Sequence, residues 1–294
     1  MGISCFSLWL LMLCLSVGQS AYGQSGWVRQ KGEVFSQLSL AGFQSDRYFN
    51  LEEEEVNTAA FMQRNLFLYA EYGVTEHLTI IANIPLLRSQ AFETTETILG
   101  TGDLRIDAKY GILQQTLPIS FGLGLEAPLA RANRFAENED GLGSINLPTG
   151  DGEWNFWATV AVSASLHPLP AYINLSGGIN KRTSYQGMNF QDQWVANSQV
   201  GYLLFQKLWL QASLGLAQSL GEADGLVSFV RGDGTAFTQY GFSVAYKLSE
   251  NWNIGLQYYD NADLIIRRAN VYHAPTLGIT LSFQKGLISS NNNQ

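Results

Sequence analysis

Three histidines, His77, His167 and His273, are the only side chains of this chain that ordinarily exchange a proton near neutral pH. A hydrolytic site would need one of them beside a serine and oriented by a carboxylate or amide. His77 and His167 sit at tight turns, away from where such a site would form, and no recognisable nucleophile motif surrounds His273. Both cysteines, Cys5 and Cys14, fall inside an apolar N-terminal run, so the rest of the chain offers no thiol for catalysis, metal binding or a disulfide. Carboxylates gather at Glu52 to Glu55 and again at Glu137, Glu139, Asp140 and Asp151. Hard cations take such oxygens, but nothing here has EF-hand-like spacing, and a solvated loop is the simpler reading. Gly100-Thr101-Gly102-Asp103 and Leu147-Pro148-Thr149-Gly150-Asp151-Gly152 are not phosphate loops, because no Gly-Lys-Ser/Thr follows and no helix is expected there. Their Pro and Gly read as turn chemistry leading into strands. The expectation is no enzyme, no cofactor and no metal.

The remaining charges show a pattern. Asp103, Arg105, Asp107 and Lys109 alternate in sign and in sequence with Leu104, Ile106, Ala108, Tyr110 and Ile112. A strand sends successive side chains to opposite faces, so this segment separates a charged surface from an apolar one. The alternation recurs. Ile119, Phe121, Leu123 and Leu125 oppose Ser120, Gly122, Gly124 and Glu126, and Leu277, Ile279, Leu281 and Phe283 oppose Thr276, Gly278, Thr280 and Ser282. Twelve such segments are expected: 33–44, 61–73, 77–87, 102–113, 118–127, 154–166, 171–182, 192–205, 208–218, 235–248, 252–260 and 271–283.

Short and long connections alternate strictly between them. Tight turns fall at 74–76, 114–117, 167–170, 206–207 and 249–251, and long polar or Gly-rich loops at 45–60, 88–101, 128–153, 183–191, 219–234 and 261–270. Tyr72, Tyr110, Tyr202 and Tyr246, with Trp252, stand at the tight-turn end, where amphipathic rings form an interfacial girdle in membrane barrels. In hydrocarbon every backbone N–H and C=O needs an internal partner, which only a helix or a closed barrel supplies. No apolar run is long enough for a spanning helix. The fold class is therefore all-β, a transmembrane antiparallel up-and-down β-barrel of about 12 strands.

The ends and the composition agree. Phe6 to Val17 is apolar but shorter than the roughly 20 residues a spanning helix needs, and Ala21-Tyr22-Gly23 fits the small-x-small rule. Residues 1–23 read as a signal peptide, 24–283 as an outer-membrane barrel and 284–294 as a polar, Asn-rich periplasmic tail. The net charge of −8 argues against nucleic acid as a partner, since phosphate binding wants clustered Lys and Arg. The expected partners are outer-membrane lipid and lipopolysaccharide, the latter bridged by divalent cations if the acidic loops bind any, and a small-molecule solute.

With the apolar faces outside, Glu71, Asp103, Arg105, Asp107, Lys109, Glu126, Lys181, Arg182 and Lys247 are expected to point inward. Such an interior is either a hydrated path or a self-paired plug of salt bridges. The candidate pore lining is Asp103, Arg105, Asp107, Lys109 and Glu126, joined by Glu71 and Lys247. Loop 128–153 is long enough to fold inward and narrow the path.

Two resemblances add to this reading. Residues Thr276 to Phe283 resemble the C-terminal β-signal of outer-membrane proteins, with Thr276, Gly278, Leu281 and Phe283 at its polar, glycine, hydrophobic and aromatic positions. The resemblance implies the barrel-assembly machinery as a partner. Gly100-Thr101-Gly102-Asp103-Leu104 leading to Tyr110, followed by Leu147-Pro148-Thr149-Gly150-Asp151, resembles the outer-membrane transporters named for the meta-pathway of phenol degradation. That family is often grouped with hydrocarbon and fatty-acid channels, and it implies passive uptake of small solutes, aromatic or apolar compounds among them. It supplies no catalytic residue. The hydrocarbon-channel relatives carry an N-terminal plug, for which only about ten residues stand before the first strand here. A structural or adhesive barrel with a closed, salt-bridged lumen is the alternative expectation, and a barrel hydrolase using His273 the third.

Overall fold

Twelve long antiparallel strands close on themselves in the computed structural model, whose described residues are 25–141, 143–221 and 232–286. They are β1 (Val34–Phe49), β2 (Glu55–Gly73), β3 (Leu78–Phe92), β4 (Leu104–Leu113), β5 (Ile119–Ala127), β6 (Asn155–Ser165), β7 (Ala171–Arg182), β8 (Gln193–Leu204), β9 (Leu208–Ser219), β10 (Ala236–Lys247), β11 (Trp252–Ala262) and β12 (Thr276–Lys285). Each pairs with the next, and β12 pairs back onto β1 from Val34↔Lys285 to Gly42↔Leu277. Closure leaves neither sheet edge open. No helix among the described residues is long and apolar enough to cross a membrane. The leader 1–23 and the tail beyond Gly286 lie outside the described residues.

The period-two pattern explains both faces of the wall. One row of cross-strand neighbours runs Leu210, Val244, Leu256, Ile279, Leu40, Leu66 across six strands, and it faces outward. The adjacent row runs Gln211, Ser243, Gln257, Gly278, Ala41, Asn65 and faces inward. A belt of exposed Leu, Ile, Val and Phe therefore rings the barrel while small and polar residues line it. Water would not tolerate such a belt; lipid does. Tyr72, Tyr110, Tyr202, Tyr246 and Trp252 are all exposed where the strands meet the tight turns, as a girdle requires.

The strands differ in height, and here the sequence expectation needs correcting. A spanning strand takes about 9–11 residues, which β5 matches, yet β1 has 16 and β2 has 19. Most of the expected loop 45–60 is strand, with Arg47↔Asn57 and Phe49↔Glu55 still paired and only 50–54 left as a turn. Above the lipid an outward face need not be apolar, so pairing continues after the alternation stops. A register shift between Ser45 and Arg47 breaks the pattern further. The last strand also outruns its expected end: Gln284 and Lys285, assigned to the tail, pair with Phe35 and Val34.

Candidate functional site

The barrel interior holds the buried polar chemistry. It has four levels, from the end bearing the long loops to the end bearing the tight turns.

At the loop end, segment 128–153 folds into the mouth as a small hairpin, Phe135–Glu137 against Ser144–Asn146. Ala136 at its centre is fully buried, packed with Leu147 against Phe61, Phe92 and Ile98. Phe43 and Tyr272 extend this platform, Tyr272 stacking on Phe61 at 4.7 Å between centroids. Polar contacts fix the returning chain. Gln90 Nε2 donates to Pro148 O at 2.6 Å and Arg88 Nη1 to Thr149 O at 2.9 Å. Asp103 accepts from the backbone N–H of Ala130 at 2.9 Å and of Asp151 at 3.3 Å.

The two Gly-rich motifs meet here. A Cβ on Gly100 would lie 2.7 Å from the Thr149 side chain, and one on Gly150 would lie 2.4 Å from Asp103 Oδ2. The glycines permit two chain segments to interlock, a tertiary requirement that turn chemistry alone did not suggest. Asp103 is thus the clamp of the inward loop.

One level down, Arg182 binds Glu153 through Nε at 3.0 Å and Nη2 at 2.6 Å, both to the same oxygen, Oε1. It also faces Asp151 and Asp233 at 3.6 Å each and stacks on Phe190 at 4.6 Å. Asp151 and Glu153, Phe190 and Asp233 therefore bring three separate loop segments to one guanidinium. Asp151 lies in a loop, and enclosure by protein, followed by the charge of Glu153, pushes its carboxyl up to about 8. Its side chain keeps 42% of its surface open to water.

At mid-barrel Arg105, Asp107 and Lys109 all face the interior, each only 1% exposed. Arg105 makes three hydrogen bonds to Asp107, the shortest 2.7 Å, and lies 4.2 Å over the Trp157 ring. The Asp107 carboxylate rests on Gly124, where a Cβ would lie 2.2 Å from Oδ1. Glu126 is half-buried nearby and accepts from Asn155 Nδ2 at 3.5 Å.

At the turn end the segment before β1 crosses the mouth. Ser25 O accepts from Ser120 Oγ at 3.0 Å, Gly26 N donates to Ser163 Oγ at 2.7 Å, and Val28 N donates to Gln114 at 3.1 Å. Arg29 N donates to Thr79 at 2.8 Å, while its guanidinium binds Glu71 at 2.6 Å. Tyr69 donates to the same Glu71 carboxylate. Trp27 meets Tyr172 edge-on at 6.0 Å, and Tyr172 packs on Trp209 at 5.5 Å. Ser25–Glu33 thus touches β2, β3, β5, β6 and β7. About ten residues before the first strand suffice to lay a strap across the opening, because held chain reaches about 3.3 Å per residue.

The expected inward set divides. Glu71, Arg105, Asp107, Lys109, Glu126 and Arg182 face the interior and Asp103 clamps the loop. Lys247 has inward parity but sits exposed at the end of β10. Lys181 is a correction: it is 71% exposed and pairs with Asp192 at 2.7 Å. Consecutive strand residues cannot share a face, so Lys181 must point away when Arg182 points in.

No family model and no curated protein matches the chain. Solved structures do. A crystal structure of an outer-membrane channel from Pseudomonas putida F1 aligns with a TM-score of 0.67 at 14% identity, covering 92% of this chain and 100% of that one. The fold is that of an outer-membrane β-barrel. The translocator domain of the autotransporter NalP from Neisseria meningitidis gives 0.51 at 12% identity, over 87% of this chain and 89% of that one. The porin NanC gives 0.50 at 11% identity, over 84% and 98%. At these identities the likeness is one of architecture.

Around His273 the hydrolase geometry is incomplete. Its ring Nδ1 lies 2.5 Å from Glu55, but the Ser45 hydroxyl donates to the His273 backbone oxygen at 2.7 Å rather than to the ring. A nucleophile held by the carbonyl of its would-be base is not activated by it.

Proposed function

We propose that the protein is a passive outer-membrane channel for small solutes, aromatic or apolar compounds among them. The observation that carries this is the inverted wall: apolar outside, polar and charged inside, closed without an edge. A path of that kind needs neither cofactor nor covalent chemistry, and selectivity comes from the groups it presents. Residues 1–23 are its export leader, and Thr276, Gly278, Leu281 and Phe283 are the signal read by the assembly machinery. The loops meet lipopolysaccharide, which puts the tight turns and the strap in the periplasm. Asp103, Arg105, Asp107, Lys109, Glu126 and Glu71 shape the constriction, with Lys247 at the periplasmic exit.

One observation favours a second reading, a structural barrel with a sealed lumen. Arg105 and Asp107 satisfy each other and meet almost no water. Single-channel conductance of the refolded protein in a planar bilayer separates the two. Small discrete steps, with ion selectivity altered by Asp107→Asn, support the channel. Silence from protein shown to be folded and inserted supports the sealed barrel.

A further inference from the structure

Arg64 breaks the pattern of the outer wall. Its neighbour Asn65 belongs to the inward row with Ala41, so Arg64 on β2 points outward. It is exposed, and it has no ion pair, hydrogen bond or ring contact among the described residues.

The wall around it is apolar. The cross-strand row through Arg64 runs Leu277, Gly42, Arg64, Ser89, Leu99. Leu99 is exposed at that level, as are Leu40 and Leu87 one outward step nearer the tight turns. Glycine on one side and serine on the other leave both flanks of the guanidinium open. Gln44, also exposed, adds a second donor diagonally across from Arg64.

Height decides what fills those flanks. A strand rises roughly 3.3 Å per residue and tilts about 40°, so each residue climbs about 2.5 Å through the membrane. Arg64 stands eight residues along β2 from Tyr72 of the turn-end girdle, hence about 20 Å above it. The apolar band of such a barrel is about 25 Å tall. Arg64 therefore lies just inside the loop-end boundary of the hydrocarbon, and not in the water above it. A long cationic side chain there carries its head up to the interface, where the lipid headgroups are. Its planar, paired donors match the oxygens of a phosphate.

We propose that Arg64, assisted by Gln44, is a docking site on the outer wall for a phosphate of lipopolysaccharide. The assignment rests on the reading that the long loops face outward, which sets Arg64 in the leaflet that lipopolysaccharide occupies. The acyl chains lie along Leu40, Leu66 and Leu87 below it.

The test is native mass spectrometry of the folded, detergent-solubilised barrel with added lipid A. EDTA is included so that no divalent cation bridges the lipid to the acidic loops. One lipid A per barrel is expected, bound about fivefold more weakly by Arg64→Gln. Arg64→Lys, which keeps the charge but not the paired geometry, should lose less. Retained β-sheet circular dichroism shows that each variant is folded. Lipid A stripped of its phosphates should bind the wild type as weakly as intact lipid A binds Arg64→Gln. Unchanged affinity in Arg64→Gln, or equal binding of the stripped lipid, would each overturn the proposal. Phosphatidylglycerol bound as tightly as lipid A, with the same loss in Arg64→Gln, would overturn the assignment to lipopolysaccharide. The measurement needs no membrane current. A conducting barrel that ignores lipid A loses the docking site and keeps the channel reading, and a silent barrel that binds it does the reverse.

Discussion

The two mouths of the barrel are narrowed by different physics. At the loop end the closure is a hairpin packed into apolar rings, with Ala136 buried against Phe61 and Phe92, and locked by one guanidinium that three loop segments share. At the turn end it is an extended strap held mainly by separate hydrogen bonds, many from its own backbone to wall side chains such as Ser163, Gln114 and Thr79. The first concentrates its stability in a core and an ion cluster. The second spreads it over contacts of about 0.5–1.5 kcal/mol each. A concentrated closure fails as a unit when its centre is removed, whereas a distributed one loosens by degrees.

Arg182→Ala should produce the largest effect, because it attacks the shared centre. Glu153 and Asp233 would be left buried without their cation, which costs about 3–5 kcal/mol for a broken buried pair. The loop-end segments should then open together. Limited proteolysis of the folded barrel checks this: cleavage within 128–153 should rise sharply while the strands stay protected. Unchanged protection would show that apolar packing alone holds the loop, and the contrast between the mouths would weaken.

Arg29→Ala probes the other end and should do less. It removes the partly buried pair with Glu71, worth about 1–3 kcal/mol as a charge-assisted bond, but leaves the backbone bonds of Gly26, Val28 and Arg29 in place. Conductance should rise modestly, with more noise from a strap that breathes, and the loop-end protease pattern should not change. A large conductance jump would mean that one ion pair, not a spread of bonds, holds the strap.

The sequence made the wall legible but not these two devices. Leu104 to Ile112 announces its faces because lipid and lumen both constrain a spanning strand, residue by residue. The segment Ser25–Glu33 has no such period: the wall groups that Gly26, Val28 and Arg29 bond lie 42 to 137 residues away, and Gly26-Trp27-Val28-Arg29 carries no signal of where it docks. Strand extension beyond Ser45 was hidden for a related reason, since wall outside the lipid keeps its ladder and loses its alternation. Gly150 and Asp103 each looked like turn residues. Only the space that Asp103 fills, where a Cβ on Gly150 would lie 2.4 Å from Oδ2, shows that the two motifs are halves of one joint. Arg182 was anticipated as inward, but its neighbour Lys181 was placed inward with it, against the parity that served correctly elsewhere.

The smallest predicted effect separates the mouths by pH. Asp151 faces Glu153, Asp103, Arg182 and Arg88, and its carboxyl is pushed up to about 8 by enclosure and by Glu153. A carboxyl whose pKa is higher in the closed loop than in the open one favours closure when protonated. That contribution is complete below the ordinary Asp range and declines as pH rises toward about 8, beyond which it is gone. Because part of the side chain meets water, screening keeps the effect small. Protease cleavage within 128–153 should therefore rise gently from pH 5 to pH 9 (chosen to bracket about 8), and Asp151→Asn should flatten that rise. The strap gains no such dependence from Asp151, which lies at the opposite mouth. If Asp151→Asn leaves the loop-end slope intact, the pH dependence does not come from Asp151, and this contrast between the two mouths falls.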